Sequence, residues 1–153
     1  MAHELAKTAD GRDMMFYAGE VPWHGLGTQV DHALTSEEAL EASGLNFTVD
    51  KTPLTTRVGD TEIVVPDHFA TVRTDTNQVL GVVGNRYQIV QNREAFDFMD
   101  AIAGVERLIQ YETAGGLFGG RKVWMLARLT NLTISPVAGD DSLPYLLLSQ
   151  AHD

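Results

Sequence analysis

From Leu45 to Gly84 the sequence is written almost entirely in strand-like runs separated by short turn signals, and this constrains the fold more than any other feature. "NFTVDKTPLTT" is rich in β-branched residues but broken by Pro53, which suits an edge strand or a bend. "RVGDTEIVV" places Gly59-Asp60 as a turn between two extended pieces. "HFATVRTDTNQVLGVVG" has the form of a hairpin, with strands over 69–74 and 79–83 and a polar turn at 75–77. On the first of these strands Phe69, Thr71 and Arg73 share one face, and Ala70, Val72 and Thr74 the other. The pattern returns over 108–114 and 121–129, flanking the glycine-rich turn "GGLFGG". A last strand, 145–150, follows the loop "SPVAGDDSLP". Strands that succeed one another through short turns pair antiparallel.

Two short helices interrupt the strands. In "LTSEEALEASG", Thr35 is an N-cap with Glu38 three residues on, a capping box, and Gly44 supplies the stop. In "VQNREAFDFMDAIAG", Asn92 reads as the N-cap and Gly104 as the end, with Ala95, Phe98, Met99 and Ile102 on one face. Residues 1–34 show little periodicity and read as an irregular N-terminal arm. The expectation is an α+β fold with a mainly antiparallel sheet, divided into the arm (1–34) and an α+β domain (35–153).

Composition narrows the function. At 153 residues the chain is about one domain long. It holds no cysteine, so disulfides, thiolate chemistry and Cys-based zinc sites are excluded. The N-terminus has no apolar h-region and the longest apolar run is "YLLLSQA", so no membrane partner is expected and a cytoplasmic setting is. The net charge is −10: residues 1–68 carry 12 acids and 4 bases, residues 69–130 carry 6 acids and 7 bases, and residues 131–153 carry only acids. Only the middle segment can present a basic face to a polyanion.

Several residues invite chemistry. "TAGGLFGGRKVW" has the glycines of a phosphate loop, but Arg121 intervenes, no Ser or Thr follows Lys122, and a strand pattern follows rather than a helix. Nucleotide hydrolysis is rejected on this basis, leaving a flexible hairpin tip or a basic finger that contacts a polyanion. The histidines His3, His24, His32, His68 and His152 form no H-x-x-x-H pair, and neither a metal ligand set nor a cofactor is expected. No G-x-S-x-G elbow marks a nucleophile. In "EVPWHGLGTQV", Trp23 and Leu26 are large apolar groups in a polar arm. They read either as an anchor plugged into the domain, with His24 satisfied by a backbone group, or as a partner contact through Trp23 and His24. Arg73, Arg86, Arg93, Arg121, Lys122 and Arg128, interleaved with Tyr87, Tyr111 and Trp124, suit single-stranded nucleic acid if they share a face.

"PWHGLG", "VLGVVGNRYQIVQNREAFDFMD", "AGGLFGGRKVWMLARL" and the terminal "LLLSQAHD" resemble a phage/plasmid-like protein family, domain of unknown function 932, from Pro22 to Asp153. The resemblance implies a phage, prophage or plasmid origin in a bacterial host. It also implies a longer protein of which this is the N-terminal part, since members continue past a His-Asp-Gly step. It carries no catalytic residues onto this chain. In architecture alone, a helix, an antiparallel meander and a packed helix are similar to phage single-strand annealing proteins of the RecT, Redβ and Erf kind.

These readings lead to one expectation and two alternatives. The first is non-catalytic binding or annealing of single-stranded DNA in replication or recombination, by a homo-oligomer. Arg73, Arg86, Arg121 and Lys122 would then meet phosphates while Tyr87 or Trp124 stacks on bases. The second is a protein–protein or assembly module using Trp23 and the acidic N-terminal third. The third is a hydrolase or metal enzyme built from dispersed His and Asp.

Overall fold

The computed structural model describes residues 4–103, 109–130 and 134–153. The fold is α+β, with two helices and sheets in which antiparallel pairing dominates. In chain order the elements are β1 (Met15–Ala18), β2 (Thr28–Val30), α1 (Ser36–Ser43), β3 (Val49–Val58), β4 (Thr61–Arg73), β5 (Gln78–Gly84), α2 (Asn92–Ala103), β6 (Ile109–Leu117), β7 (Lys122–Leu129), β8 (Ile134–Val137), β9 (Asp140–Ser142) and β10 (Tyr145–Ala151). A five-stranded sheet runs β10-β7-β6-β1-β2, a three-stranded sheet runs β3-β4-β5, and β8 and β9 form a small hairpin.

The local signals for α1 hold. Thr35 accepts from the Glu38 amide while the Glu38 carboxylate takes the Thr35 amide, and Gly44 closes the helix at φ 72°, where a side chain would be strained. Backbone bonds to Glu38 hold its carboxyl below the usual range. The start of α2 differs. Gln91 takes the cap position: its carbonyl accepts from the Ala95 amide and its own amide donates to Glu94 Oε2 at 2.6 Å. Asn92 is buried inside the first turn, and its side chain goes to the core rather than to a cap. That pinning rotates the helix. Ala95, Phe96 and Met99 face inward while Phe98 and Ile102 face out, contrary to the stripe expected from spacing. The Gly104 stop lies outside the described residues, as does the expected strand start at Leu108.

The arm is less irregular than its sequence suggests. β1 lies between β6 and β2, pairing antiparallel with the first and parallel with the second. Met14 and Phe16 are wholly buried, so residues 1–34 help complete the main sheet. The loop "SPVAGDDSLP" also contains an unexpected hairpin, β8–β9.

The core sits on one face of the five-stranded sheet. Val123, Met125 and Ala127 of β7, and Ala114 of β6, pack beneath Leu40, Phe96 and Met99 of the helices, with Leu45, Phe47 and Val49 from the α1–β3 connection. The glycines of "GGLFGG" are packing positions rather than a flexible tip. A Cβ on Gly115 would come within 2.4 Å of the Trp124 ring, and one on Gly116 within 2.7 Å of Met14.

Pro53 marks both an edge strand and a bend. β3 is the sheet edge, and its register with β4 shifts between Pro53 and Thr55. The body pairs Pro53 with Phe69 and the far side pairs Thr55 with Val64, so one residue of β3 opposes four of β4. Beyond that bulge, residues 55–64 form a hairpin in which every residue is exposed. Its two-residue turn has Gly59 at φ 60°, the first central position where a type II′ hairpin turn requires glycine.

Replacing Thr35 by Ala should remove one cap bond and lower stability by about 1 kcal/mol. Urea denaturation with an unchanged m-value would register this, and an unchanged midpoint would show that the cap contributes nothing.

Candidate functional site

Arg73 was expected on a basic face, and the structure places it in the interior, 1% exposed. Its Nε and Nη2 donate to the two carboxylate oxygens of Asp75, each at 2.7 Å. Nη1 donates to the carbonyls of Lys7 and Gly119, at 2.9 and 3.0 Å. The guanidinium lies 4.4 Å from the centre of the Phe47 ring. Its bond from Arg73 holds the Asp75 carboxyl below its usual 3.8, although burial opposes this. Every nitrogen of the Arg73 guanidinium is therefore engaged, and it leaves the set of phosphate-contacting candidates.

A second buried polar group joins α2 to the C-terminal strand. Asn92 Nδ2 donates to the Leu45 carbonyl at 3.0 Å, which fixes the amide, and Oδ1 accepts from Gln150 Nε2 at 2.9 Å. His152 Nε2, 3.0 Å from the same oxygen, must carry its proton. His152 is 1% exposed and its Nδ1 has no hydrogen-bond partner among the described residues. Burial pushes its pKa down, with Asp153 opposing. Thr71 donates to the His152 carbonyl, and Asp153 packs so closely over Gly81 that a Cβ there would be 2.5 Å from it.

Around this seam the structure gathers Tyr87, Arg121 and Lys122. Tyr87 OH donates to the Ala151 carbonyl at 3.0 Å, Ala151 pairs with Lys122, and Arg121 Nε is 3.4 Å from Asp153 Oδ2. Arg86 is exposed in the loop beside Tyr87. Arg93 is elsewhere, paired with Glu37 at 2.6 Å across the two helices, and Tyr111 is buried with its hydroxyl on Asp100 at 2.9 Å. The basic residues thus do not share one face.

The uncovered side of the five-stranded sheet carries a different set. Alternation puts Lys122, Trp124, Leu126 and Arg128 of β7 opposite Ala151, Ser149, Leu147 and Tyr145 of β10. Leu147 is 68% and Tyr145 45% exposed. At one end Arg128 Nε is 3.3 Å from Glu112 Oε1, and its Nη2 donates to Gln110 at 3.1 Å. Burial, then its bond to Glu112, raises the Tyr145 hydroxyl pKa. At the other end Lys122 is exposed, 5.8 Å from the Phe118 ring, and enters no ion pair among the described residues.

The anchor reading of Trp23 does not hold: its side chain is 87% exposed, and only Leu26 is half-buried. His24 does find a backbone group, its Nδ1 accepting from the Leu26 amide at 3.0 Å, with the Trp23 ring edge-on at 5.5 Å. Among the described residues no three His, Asp or Glu side chains converge to hold a metal; His3 lies outside them.

Sequence reasoning missed the distal hairpin as a surface. Its register puts Thr56, Ile63, Val58 and Thr61 on one face, all β-branched and uncharged. Val64, Thr55 and the opposed pair Arg57 and Glu62 occupy the other. The signal was present as alternation on both sides of Gly59-Asp60, but the pattern does not say that both faces are exposed.

Residues 79–153 match the model of a family described as a domain of unknown function, DUF932. That stretch runs from β5 to β10 and holds the Asn92–His152 seam and the uncovered β7–β10 face, whereas the hairpin precedes it. No curated protein and no solved structure matches the chain.

Asp75→Asn should cost about 2 to 3 kcal/mol at neutral pH, because it leaves the Arg73 charge buried against a neutral partner. The Asp75 pKa is depressed in the folded state, so the pair's contribution is complete above about 3.8 and is lost as pH falls through the folded value. Denaturation at neutral and acid pH should show the gap between variant and wild type closing in acid. A gap that is absent, or that ignores pH, would refute the pairing.

Proposed function

Because this chain belongs, through residues 79–153, to the DUF932 family, a domain of unknown function, we propose from its own surfaces that it is a protein–protein assembly module. Its binding element is the hairpin of residues 55–64. The carrying observation is that all ten residues of a regular paired hairpin are exposed, with Val58 at 64% and Ile63 at 46% on an uncharged face. An isolated two-stranded hairpin is marginal in water, and burying such a face stabilises it. In the bacterial phage or plasmid setting that the sequence resemblance implies, such a module joins subunits of a larger cytoplasmic assembly.

Charge favours protein over nucleic acid as the partner. The chain is at −10, and Arg73, Arg93, Arg121 and Arg128 each lie beside an acid. Lys51 spends its ammonium on the carbonyls of Asn85 and Tyr87.

A photo-crosslinker replacing Val58 should give adducts with polypeptide in cells, and adding Ile63→Glu should reduce them several-fold. Absence of polypeptide adducts would reject the reading.

A second reading attaches to the uncovered sheet face, where Lys122 and Trp124 share a side with Arg128, itself opposite Tyr145. Single-stranded DNA on that face would stack on Trp124. Fluorescence anisotropy across a salt series should then show binding that weakens with salt and falls about tenfold in Lys122→Ala/Trp124→Ala. No binding at low salt would end this reading.

A further inference from the structure

We infer that the occupant of the hairpin's apolar face is a second copy of this chain, which receives it on the uncovered β7–β10 face, head to tail. This rests on the assembly reading above and names its partner.

The hairpin is built to reach outward. Four residue pairs beyond the bulge, at about 3.4 Å per residue, carry its tip roughly 14 Å from the body. β5 pairs with β4 only from His68 to Arg73, so neither long edge of residues 55–64 meets a further strand among the described residues. The hairpin is anchored at the opposite end of the same strands, where Arg73 is locked and Val49 is buried. It therefore offers a held, uncharged face of Thr56, Val58, Thr61 and Ile63 to a neighbour.

The same chain displays the complementary surface. Leu147, Tyr145, Leu126 and Trp124 form an apolar centre on the sheet face opposite the one that the described helices pack against. Its rim has the sign that the hairpin needs. Arg128 is neutralised by Glu112, which leaves Lys122 as the cation at the open end. The hairpin tip carries Asp60 in its turn and Glu62 opposite Arg57, so residues 55–64 are net acidic. Apolar centre on apolar face, with acidic tip at basic rim, fixes one register. Both partner surfaces exist in every copy but at different places, so the contact is heterologous and builds a ring or a filament.

The test uses light scattering after size exclusion on the full chain. The wild type should run above monomer mass. Val58→Glu/Ile63→Glu, which spoils the hairpin, and Leu147→Glu, which spoils the receiving face, should each run as monomers, because a carboxylate buried without a partner is costly. An equimolar mixture of the two should form a heterodimer, since one intact hairpin then meets one intact face. Far-UV circular dichroism and the melting temperature serve as fold controls, with Val58→Thr/Ile63→Thr and Leu147→Gln as milder variants that should weaken association several-fold. A monomeric wild type overturns the inference, as does an oligomer indifferent to either substitution. Loss of association by the hairpin variant alone, without rescue on mixing, overturns it in favour of hairpin–hairpin pairing. If the wild type is monomeric while the Val58 crosslinker still captures another polypeptide, the assembly reading stands and only the second-copy partner falls.

Discussion

The fold turns on one buried guanidinium. Arg73 ends β4 at the point where the chain reverses into β5, and its flat fork of donors reaches its own turn and two distant segments. Asp75 supplies the countercharge two residues away, Lys7 brings in the N-terminal segment, Gly119 brings in the β6–β7 turn, and Phe47 covers the cation's face. A desolvated cation tolerates no loose partner, so these segments are held together more strictly than apolar packing alone requires. The three-stranded sheet is thereby fixed at its body end. Past the bulge the same two strands have no such constraint, and they become the exposed hairpin.

The Asn92–His152 seam does comparable work at the C-terminal strand. A neutral His152, Gln150 and the Leu45 carbonyl all converge on one amide, tying β10 and α2 to the α1–β3 connection. The Tyr87 and Thr71 hydroxyls then grip the carbonyls of Ala151 and His152. Every polar side-chain atom named in this seam is engaged among the described residues except His152 Nδ1, which is itself buried. The seam determines where β10 runs, and so which residues of β7 and β10 share the uncovered face.

Local chemistry was legible in the sequence. The Thr35–Glu38 capping box, the Gly44 stop, the Gly59-Asp60 turn, the Pro53 bend and the final strand all depend on neighbours a few residues apart. What was not legible depended on distant layers. Alternation assigned Arg73 a face but could not say that Asp75, Phe47 and two carbonyls wait across it. Helical spacing put Phe98 and Ile102 on the inward face, whereas with Asn92 pinned it is Phe96 that turns inward. Three-residue β2 is too short to carry a period, and its parallel pairing with β1 leaves no local mark. Gly115 and Gly116 read as flexibility, whereas they are the room that Trp124 and Met14 occupy.

The placement of charge links the fold to the function. An acidic chain that buries one arginine and matches most others with carboxylates is spending its bases on internal order. Long-range attraction for a polyanion is correspondingly weak, since affinity of that kind scales with the phosphates that cations neutralise. Two of the surfaces it displays are short-range: a sheet face with aromatic and aliphatic side chains, and a hairpin whose apolar side gains nothing from water. The two uncovered surfaces differ in form, one a projecting hairpin and the other a broad face. Contact between them leaves a fresh pair exposed at each end, so the same interaction that forms one contact prepares the next.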